Sequence, residues 1–209
     1  MGRCKSQHVE GHRSQVNQDS WRSECDSGPV RVSLTKRGND VTRLHTYVGG
    51  TWHVAAGTTD LGTVSAPEAA RYLLSLARAA TPGAGERAIF SATLADSVTL
   101  GPDLLRIARD GRIPRRTRRT AVFWLGQAAE QAATRGLDDL VAADTMDREI
   151  REATVFALSQ RPREEGVPAL IRIARTHRDP HVRRTAIFWL GQSDDSRALA
   201  LFEELLTRP

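Results

Sequence analysis

Residues 119–127 of this chain read RTAVFWLGQ, and residues 184–192 read RTAIFWLGQ. A degenerate copy, EATVFALSQ, lies between them at residues 152–160, and a looser copy, RAIFSATL, precedes them at residues 87–94. The phenylalanines of the four copies are residues 90, 123, 156 and 188, so successive copies are 33, 33 and 32 residues apart. A fixed period of this length is typical of repeat proteins, in which each structural unit stacks on the next.

A second motif alternates with the first and indicates two helices in each repeat. It reads LLSLAR at residues 73–78, LLRIAR at 104–109 and LIRIAR at 170–175. A helix pair cannot bury its apolar face alone, so stacking is expected to join these faces into one continuous core. The sequence therefore predicts a mainly α fold, an α-solenoid of about four helix pairs with an N-terminal half-repeat.

The FWL run is predicted to supply the core of each repeat. The run Val122–Leu125 is apolar on nearly every side, as expected for an inner helix that contacts both neighbouring repeats. Truncation of Phe123 or Phe156 is accordingly expected to cost about 3–5 kcal/mol of stability. The predicted core residues are Phe90, Phe123, Trp124, Leu125, Phe156, Leu158, Phe188, Trp189 and Leu190.

The last repeat resembles a known family, the bacterial HEAT-like repeat proteins of the type first described in phycobilisome lyases. Residues 179–183 (DPHVR), Ala186, residues 190–191 (LG) and residues 194–198 (DDSRA) are similar to that family's D-P-x-V-R…A…L-G…D…A pattern. The earlier copies depart from it: residues 147–151 lack the proline and residues 113–118 lack the aspartate. The resemblance covers residues 86–209 and implies HEAT-like, armadillo-like helical repeats. It also implies a protein-binding role, because members of this class mostly bind other proteins and only some assist enzymes.

Composition divides the chain into three parts. Residues 1–28 are polar, with Trp21 as the only large apolar group, and are predicted to be a disordered leader. Residues 29–62 are predicted to form a small β cap on the first helix, either a hairpin or a three-strand element. Its proposed strands are Val30–Leu34, Val41–Val48 and Thr51–Ala56, with a turn at Gly49–Gly50 that places Tyr47 opposite Trp52. Residues 63–209 are predicted to be the solenoid, and Ser65 is expected to cap its first helix.

Bulk properties exclude a membrane protein and leave the partner open. The longest apolar runs are four or five residues, too short to span a bilayer, and no apolar stretch follows the basic residues at the N-terminus. The sequence as written therefore predicts a cytoplasmic protein, with export as the alternative if the N-terminus is incomplete. The net charge of +5 is mild. It permits an acidic protein partner or nucleic acid and requires neither.

Three sets of arginines are candidate functional residues. One set, Arg118, Arg151 and Arg183, recurs at the period of the repeat. These arginines are expected to pair with Asp147, Asp179 or helix-end carbonyls. The alternative is that they form a ladder that binds an acidic partner. Five arginines lie between Arg112 and Arg119 and could hold phosphates, although no aromatic residues interleave with them in sequence. The predicted protein-binding residues are Arg106, Arg109, Arg115, Arg116, Arg172 and Arg175.

No set of residues indicates catalysis or a bound metal. Cys4, His8, His12 and Cys25 are residue types that zinc accepts, but their spacing matches no common zinc module. The two cysteines also cannot staple the body of the protein, and no G-x-S-x-G or phosphate-binding glycine loop is present. The prediction is no cofactor, no metal and no catalytic residue.

The leading hypothesis is a non-enzymatic scaffold that binds another protein, with the oligomeric state open. One alternative is binding to the nucleic-acid backbone through the cluster at residues 112–119. The other follows from the resemblance and is a phycobilin-lyase-like chaperone or enzyme-associated subunit.

Overall fold

The computed structural model describes residues 3–5, 24–26, 29–49, 57–79 and 83–207. Four short strands and nine α-helices occur within these ranges. The strands are β1 Arg3–Lys5, β2 Glu24–Asp26, β3 Val30–Arg37 and β4 Asp40–Val48. The helices are α1 Ala66–Ala79, α2 Ala84–Thr93, α3 Gly101–Arg109, α4 Arg115–Gly126, α5 Gln131–Ala142, α6 Arg148–Ser159, α7 Arg163–Thr176, α8 Pro180–Gly191 and α9 Ser196–Thr207.

The helices form two layers, which confirms the predicted α-solenoid. The even-numbered helices α2, α4, α6 and α8 carry the four copies of the first motif, which reads FWL in α4 and α8 only, and they pack on one another in that order; we call them the aromatic layer. The odd-numbered helices α1, α3, α5, α7 and α9 pack in the same way and form the leucine layer. Each aromatic-layer helix also packs on the odd-numbered helix before it, so the described helices form four pairs, from α1–α2 to α7–α8, followed by α9.

The first helix of the stack begins where the sequence predicts. Ser65 Oγ donates to Glu68 Oε2 at 2.6 Å, and the Glu68 backbone N–H donates back to Ser65 Oγ at 3.4 Å. This reciprocal arrangement is a capping box, which satisfies backbone donors that the first turn of a helix leaves free. The hydrogen bond from Ser65 lowers the pKa of Glu68, which keeps that carboxylate ionised at the helix N-terminus.

The first two predicted strands of the small β element are present. The described strands β3 and β4 pair antiparallel, with Val30 opposite Val48 and Arg37 opposite Asp40, so they are joined by a turn at Gly38–Asn39. The predicted turn at Gly49–Gly50 would follow β4 and stays a prediction, because Gly50 is outside the described residues. Gly38 has a φ of 61°, which suits a two-residue hairpin turn that starts with glycine. The proposed third strand at residues 51–56, and with it the Tyr47–Trp52 pair, lies outside the described residues.

The hairpin was predicted to pack on the first helix, α1. In the structure it packs on α2 instead. Leu44 of β4 is fully buried, and the hydroxyls of Thr46 and Ser91 are 2.6 Å apart across the contact. In the leader, β1 pairs antiparallel with β2, with Cys4 opposite Cys25. The prediction of disorder for the rest of residues 1–28 lies outside the described residues.

Three of the nine predicted core residues are buried, and the division follows helix geometry. Leu125, Leu158 and Leu190 are buried, as predicted. Phe123, in contrast, is 42% exposed and Phe188 is 58% exposed. Residues two positions apart in an α-helix differ by about 200° around its axis. A phenylalanine two positions before a buried leucine therefore faces away from the core.

The remaining predicted core residues show the same division. Phe90 is also exposed, so its assignment to the core was wrong for the same reason. Phe156, Trp124 and Trp189 are intermediate; the two tryptophans pack against the edge of the core. The buried side of each aromatic-layer helix is instead lined by smaller residues such as Val122 and Val155.

The glycines of the LG motif provide a test of the stacking. A Cβ on Gly126 would lie 3.0 Å from both the carbonyl oxygen and the Cβ of Ala157 in the next helix, whereas a Cβ on Gly191 would have no neighbour within 4 Å among the described residues. Gly126→Ala is therefore expected to lower the free energy of unfolding by about 1–3 kcal/mol, because backbone atoms must separate. Gly191→Ala, the matched control at the same repeat position, is expected to be neutral or to stabilise by up to about 1 kcal/mol. Urea denaturation measures both, and equal effects would contradict this packing.

Candidate functional site

A groove of about 910 Å³ crosses α4, α6 and α8 on the exposed side of the aromatic layer. The residues from α4 and α6 occupy the same four repeat positions, whereas α8 shares only some of them. The lining residues are Arg116, Arg119, Thr120 and Phe123 from α4, Glu149, Glu152, Ala153 and Phe156 from α6, and His181, Thr185 and Trp189 from α8. The exposed side of these helices thus carries aromatic, aliphatic and charged groups.

A cluster of three aromatic rings lies at the α2–α4 side of this surface. The ring centroid of Trp124 is 5.8 Å from that of Phe90 in the preceding aromatic-layer helix. It is 5.3 Å from the centroid of Phe123, with the two ring planes at 80°. Such edge-to-face contacts hold the rings in fixed orientations, so their exposed faces form a preorganised surface.

A second cluster repeats this arrangement two helix pairs further along. Trp189 lies 4.9 Å from Phe156 and 5.1 Å from Phe188, between ring centroids. In α6 the position equivalent to the two tryptophans is Ala157. Ala157 is buried in the contact with Gly126, so α6 adds no indole to this side, and Phe123, Ala153 and Phe156 line the groove here.

The carboxylates in the groove are neutralised within the chain. Glu149 accepts from Arg115 at 2.7 Å. Glu152 accepts from Arg148 at 2.9 Å and lies 2.7 Å from His181 Nε2. The hydrogen bond from Arg148, with a smaller contribution from His181, lowers the pKa of Glu152, so this carboxylate is ionised and already compensated.

The arginines of the groove are not all neutralised. Arg116 Nε lies 3.5 Å from Glu86 Oε2, which makes an ion pair but not a hydrogen bond. The Thr117 hydroxyl donates to the other oxygen of Glu86. Among the described residues Arg119 has neither an ion pair nor a hydrogen bond from its side chain, and the same holds for Arg184, at the equivalent position of α8. Arg119 is therefore an uncompensated positive charge in the groove beside Phe123, and Arg184 is a second one on the exposed surface of α8, outside the lining residues.

The periodic arginines serve the repeat, as the preferred interpretation predicted. Arg118 is buried, with 5% of its side chain exposed, and donates to Asp147 at 2.7 Å and to the Ala108 carbonyl at 3.0 Å. It thus joins α4 to the end of α3 and to the start of α6. A buried guanidinium with these partners is a structural link rather than a group that reads a ligand.

The other two members of the ladder use similar partners. Arg151 lies 3.6 Å from Asp179 and donates to the Met146 carbonyl at 2.7 Å. Arg183 donates to the His177 carbonyl at 2.7 Å. Both side chains therefore hold the loop that precedes their own helix, and Arg151 also reaches the next repeat.

The predicted binding arginines of the leucine layer also have partners in the chain. Arg172 pairs with Asp138 of the preceding leucine-layer helix at 2.5 Å, and Arg109 pairs with Asp139 at 3.5 Å. Arg175 pairs with Glu204, and Arg106 pairs with Asp103 of its own helix at 2.5 Å. These contacts reduce the net charge that this side offers to a partner. A binding role for these four arginines stays a prediction.

The arginine cluster at residues 112–119 is mostly paired as well. Arg112 donates to Asp110, and this hydrogen bond lowers the pKa of Asp110 to about 2. Arg115, Arg116 and Arg118 have the partners given above, which leaves Arg119 as the cluster's unpaired cation among the described residues. No aromatic residue interleaves with these arginines in sequence, but in the structure Phe123 lines the same groove as Arg116 and Arg119.

One structural residue was missed by sequence reasoning. Arg161, in the loop between α6 and α7, is buried, with 2% of its side chain exposed. It donates to Thr134 at 2.8 Å, to Glu165 at 2.9 Å and to the carbonyl of Glu130 at 3.1 Å. The equivalent positions in the neighbouring repeats are Ala128 and Ser193, so the departure from the repeat was the available signal.

The remaining predictions concern metals and membranes. Within the part of the chain that the structure describes, no group of three His, Cys, Asp or Glu side chains is placed to hold a metal ion. His8 and His12 lie outside that part. None of the described helices combines the length and the apolar composition that crossing a bilayer requires.

The fold and its surface define a class of protein, an α-solenoid of HEAT-like repeats with an exposed aromatic groove. Residues 137–209 match the family described as HEAT repeats, which covers α5 in part and all of α6 to α9. No curated protein matches the chain. HEAT repeats commonly serve as scaffolds for protein–protein interactions.

Proposed function

We propose that this chain is a non-enzymatic scaffold that binds another protein through the groove of the aromatic layer. The observation that carries the proposal is the exposure of Phe90, Phe123 and Phe188 on a rigid stack of helices. Contiguous exposed aromatic groups mark interaction surfaces, and aromatic residues and arginine are enriched where protein interfaces bind most strongly. The proposed binding surface is therefore on the helix layer opposite to Arg106, Arg109, Arg172 and Arg175.

Two further features support binding rather than chemistry. The carboxylates and His181 in the groove are already paired with one another or with arginines, so they are held in place rather than poised for proton transfer. The rings are fixed by contacts between neighbouring helices, which limits the entropy lost when a partner binds. The chaperone-subunit alternative rests on the resemblance alone and stays a prediction.

Affinity capture with the full chain tests the proposal. Proteins captured from an extract of the source cells by the wild-type chain are compared with those captured by Phe123→Ala/Phe156→Ala. Recovery of the specific partner, confirmed with the purified partner by calorimetry, is expected to fall at least tenfold, since central aromatic residues carry most of the binding energy. Tyr72→Ala is the matched control, because Tyr72 is 50% exposed but lies on α1 in the leucine layer.

A second variant separates the two layers. Arg172→Glu/Arg175→Glu reverses charge on the leucine layer and is expected to leave capture within about twofold of the wild type. If this variant abolishes capture while Phe123→Ala/Phe156→Ala retains it, the binding surface is on the leucine layer and the present assignment is wrong.

A further inference from the structure

The charges of the groove indicate the chemistry of its partner. The groove carboxylates Glu149 and Glu152 each have an arginine within 2.9 Å, whereas Arg119 and Arg184 have no such partner in the described parts of the chain. A ligand that approaches this surface meets guanidinium groups whose charge is not compensated by the protein. Such groups favour carboxylates and repel ammonium groups.

The aromatic clusters indicate a second feature of the partner. Between the clusters around Trp124 and Trp189, the groove is lined by Phe123, Phe156 and the small side chain of Ala153, which leaves a recess beside the two rings. A recess between rings is filled favourably by one apolar side chain and not by a charged one. The surface thus combines a site for an apolar anchor with flanking sites for acidic groups.

The stack also sets the length of the partner segment. Packed helices are about 8–10 Å apart, so the three intervals from α2 to α8 span about 24–30 Å. This length corresponds to about eight residues of extended chain or about 18 residues of helix. A short linear segment is long enough to contact both aromatic clusters.

We infer that the groove binds an acidic segment of another protein that anchors an aromatic or aliphatic side chain between Phe123 and Phe156. Acidic residues of the segment pair with Arg119 and Arg184, the two arginines at equivalent positions of α4 and α8. This inference rests on the proposed function, because it names the chemistry of the partner for the same groove.

Selection from a phage-displayed library of random 16-residue peptides, with the full chain as bait, tests the inference. Peptides selected by the wild-type chain are expected to be enriched in Asp and Glu and to contain at least one aromatic or aliphatic residue. The bait Arg119→Glu/Arg184→Glu is expected to select basic peptides instead. An individual acidic peptide is expected to bind this variant about tenfold more weakly by fluorescence anisotropy. Arg71→Glu/Arg135→Glu, at exposed positions of α1 and α5 in the leucine layer, is the charge-matched control and is expected to change affinity less than twofold.

The outcomes separate the inference from the proposed function. Peptides that require Phe123 and Phe156 but are neutral or basic would overturn the acidic partner and leave the groove as a binding surface. Peptides whose binding is unchanged in Phe123→Ala/Phe156→Ala would overturn both. Tighter binding of a 16-nucleotide single strand of thymidylate, dependent on the same residues, would identify nucleic acid as the ligand and overturn the inference. Thermal melts of each variant confirm that the stack is folded.

Discussion

Replacement of Arg161 with leucine is expected to lower the free energy of unfolding by about 3–5 kcal/mol, the usual cost when one partner of a buried charged network is removed. The guanidinium connects the loop before α5, through the Glu130 carbonyl, to Thr134 of α5 and Glu165 of α7. It also donates to the Ala128 carbonyl. Leucine satisfies none of these acceptors, so several polar groups lose their partner in a buried position.

The Arg161→Lys variant separates the contribution of the positive charge to stability from that of the guanidinium geometry. Arg161→Lys keeps the positive charge but offers one ammonium group to acceptors that the planar guanidinium reaches in several directions. We therefore expect it to lose more than half of the stability that leucine loses. Arg135→Leu, on an exposed surface, is the control and is expected to change stability by less than about 0.5 kcal/mol. Urea denaturation measures all three; a loss below about 1 kcal/mol for Arg161→Leu would show that the buried network does not hold the repeats together.

The second large loss of stability is expected for Leu125→Ala. Comparison with Phe123→Ala shows which of the two side chains is in the core. Leu125 is 1% exposed, so Leu125→Ala is expected to cost about 2–5 kcal/mol, the range for a leucine removed from a close-packed core. Phe123→Ala removes a larger side chain from an exposed position, where the main loss is its contact with Trp124, about 1 kcal/mol. Chemical denaturation is the measurement. If Phe123→Ala lowers the free energy of unfolding as much as Leu125→Ala or more, Phe123 is a core residue and the assignment of the groove is wrong.

The repeat architecture was predictable from the sequence because the period is local information. Copies of one motif 33 residues apart, alternating with a second motif, require two helices per repeat and a stacked core. The role of the periodic arginines followed from the same reasoning, since a position fixed by the repeat usually serves the contact between repeats. Arg118 and Arg151 confirm this, each with an aspartate at the start of the following aromatic-layer helix.

The orientation of the FWL run was not predictable in the same way. A run of four apolar residues covers all sides of a helix, so its pattern does not indicate which side is buried. The structure shows that Val122 and Leu125 face the core, while Phe123 lies on the opposite side and Trp124 at the edge. The groove was therefore not predicted, because Phe123 and Phe156, which line it, had been assigned to the core.

The neutralisation of the arginines also required three-dimensional information. Arg172 and Asp138 are 34 residues apart, and Arg115 and Glu149 are likewise 34 residues apart. These pairs form because successive helices of one layer lie side by side, and many other acid–arginine pairings have similar spacing. The sequence analysis placed strands on both sides of Gly38–Asn39 but did not assign this turn, although glycine followed by asparagine is a common turn signal.

The exposure of the phenylalanines is the claim on which the groove, its proposed partner and the stability contrast all depend. The most direct test is the rate of thiol labelling in the folded protein, with single cysteines placed in a Cys4→Ser/Cys25→Ser background. Phe123→Cys and Phe188→Cys are expected to react at nearly the rate of the unfolded chain, while Leu125→Cys and Leu190→Cys are expected to be protected at least a hundredfold. Comparable protection at positions 123 and 125 would contradict the orientation of the aromatic layer.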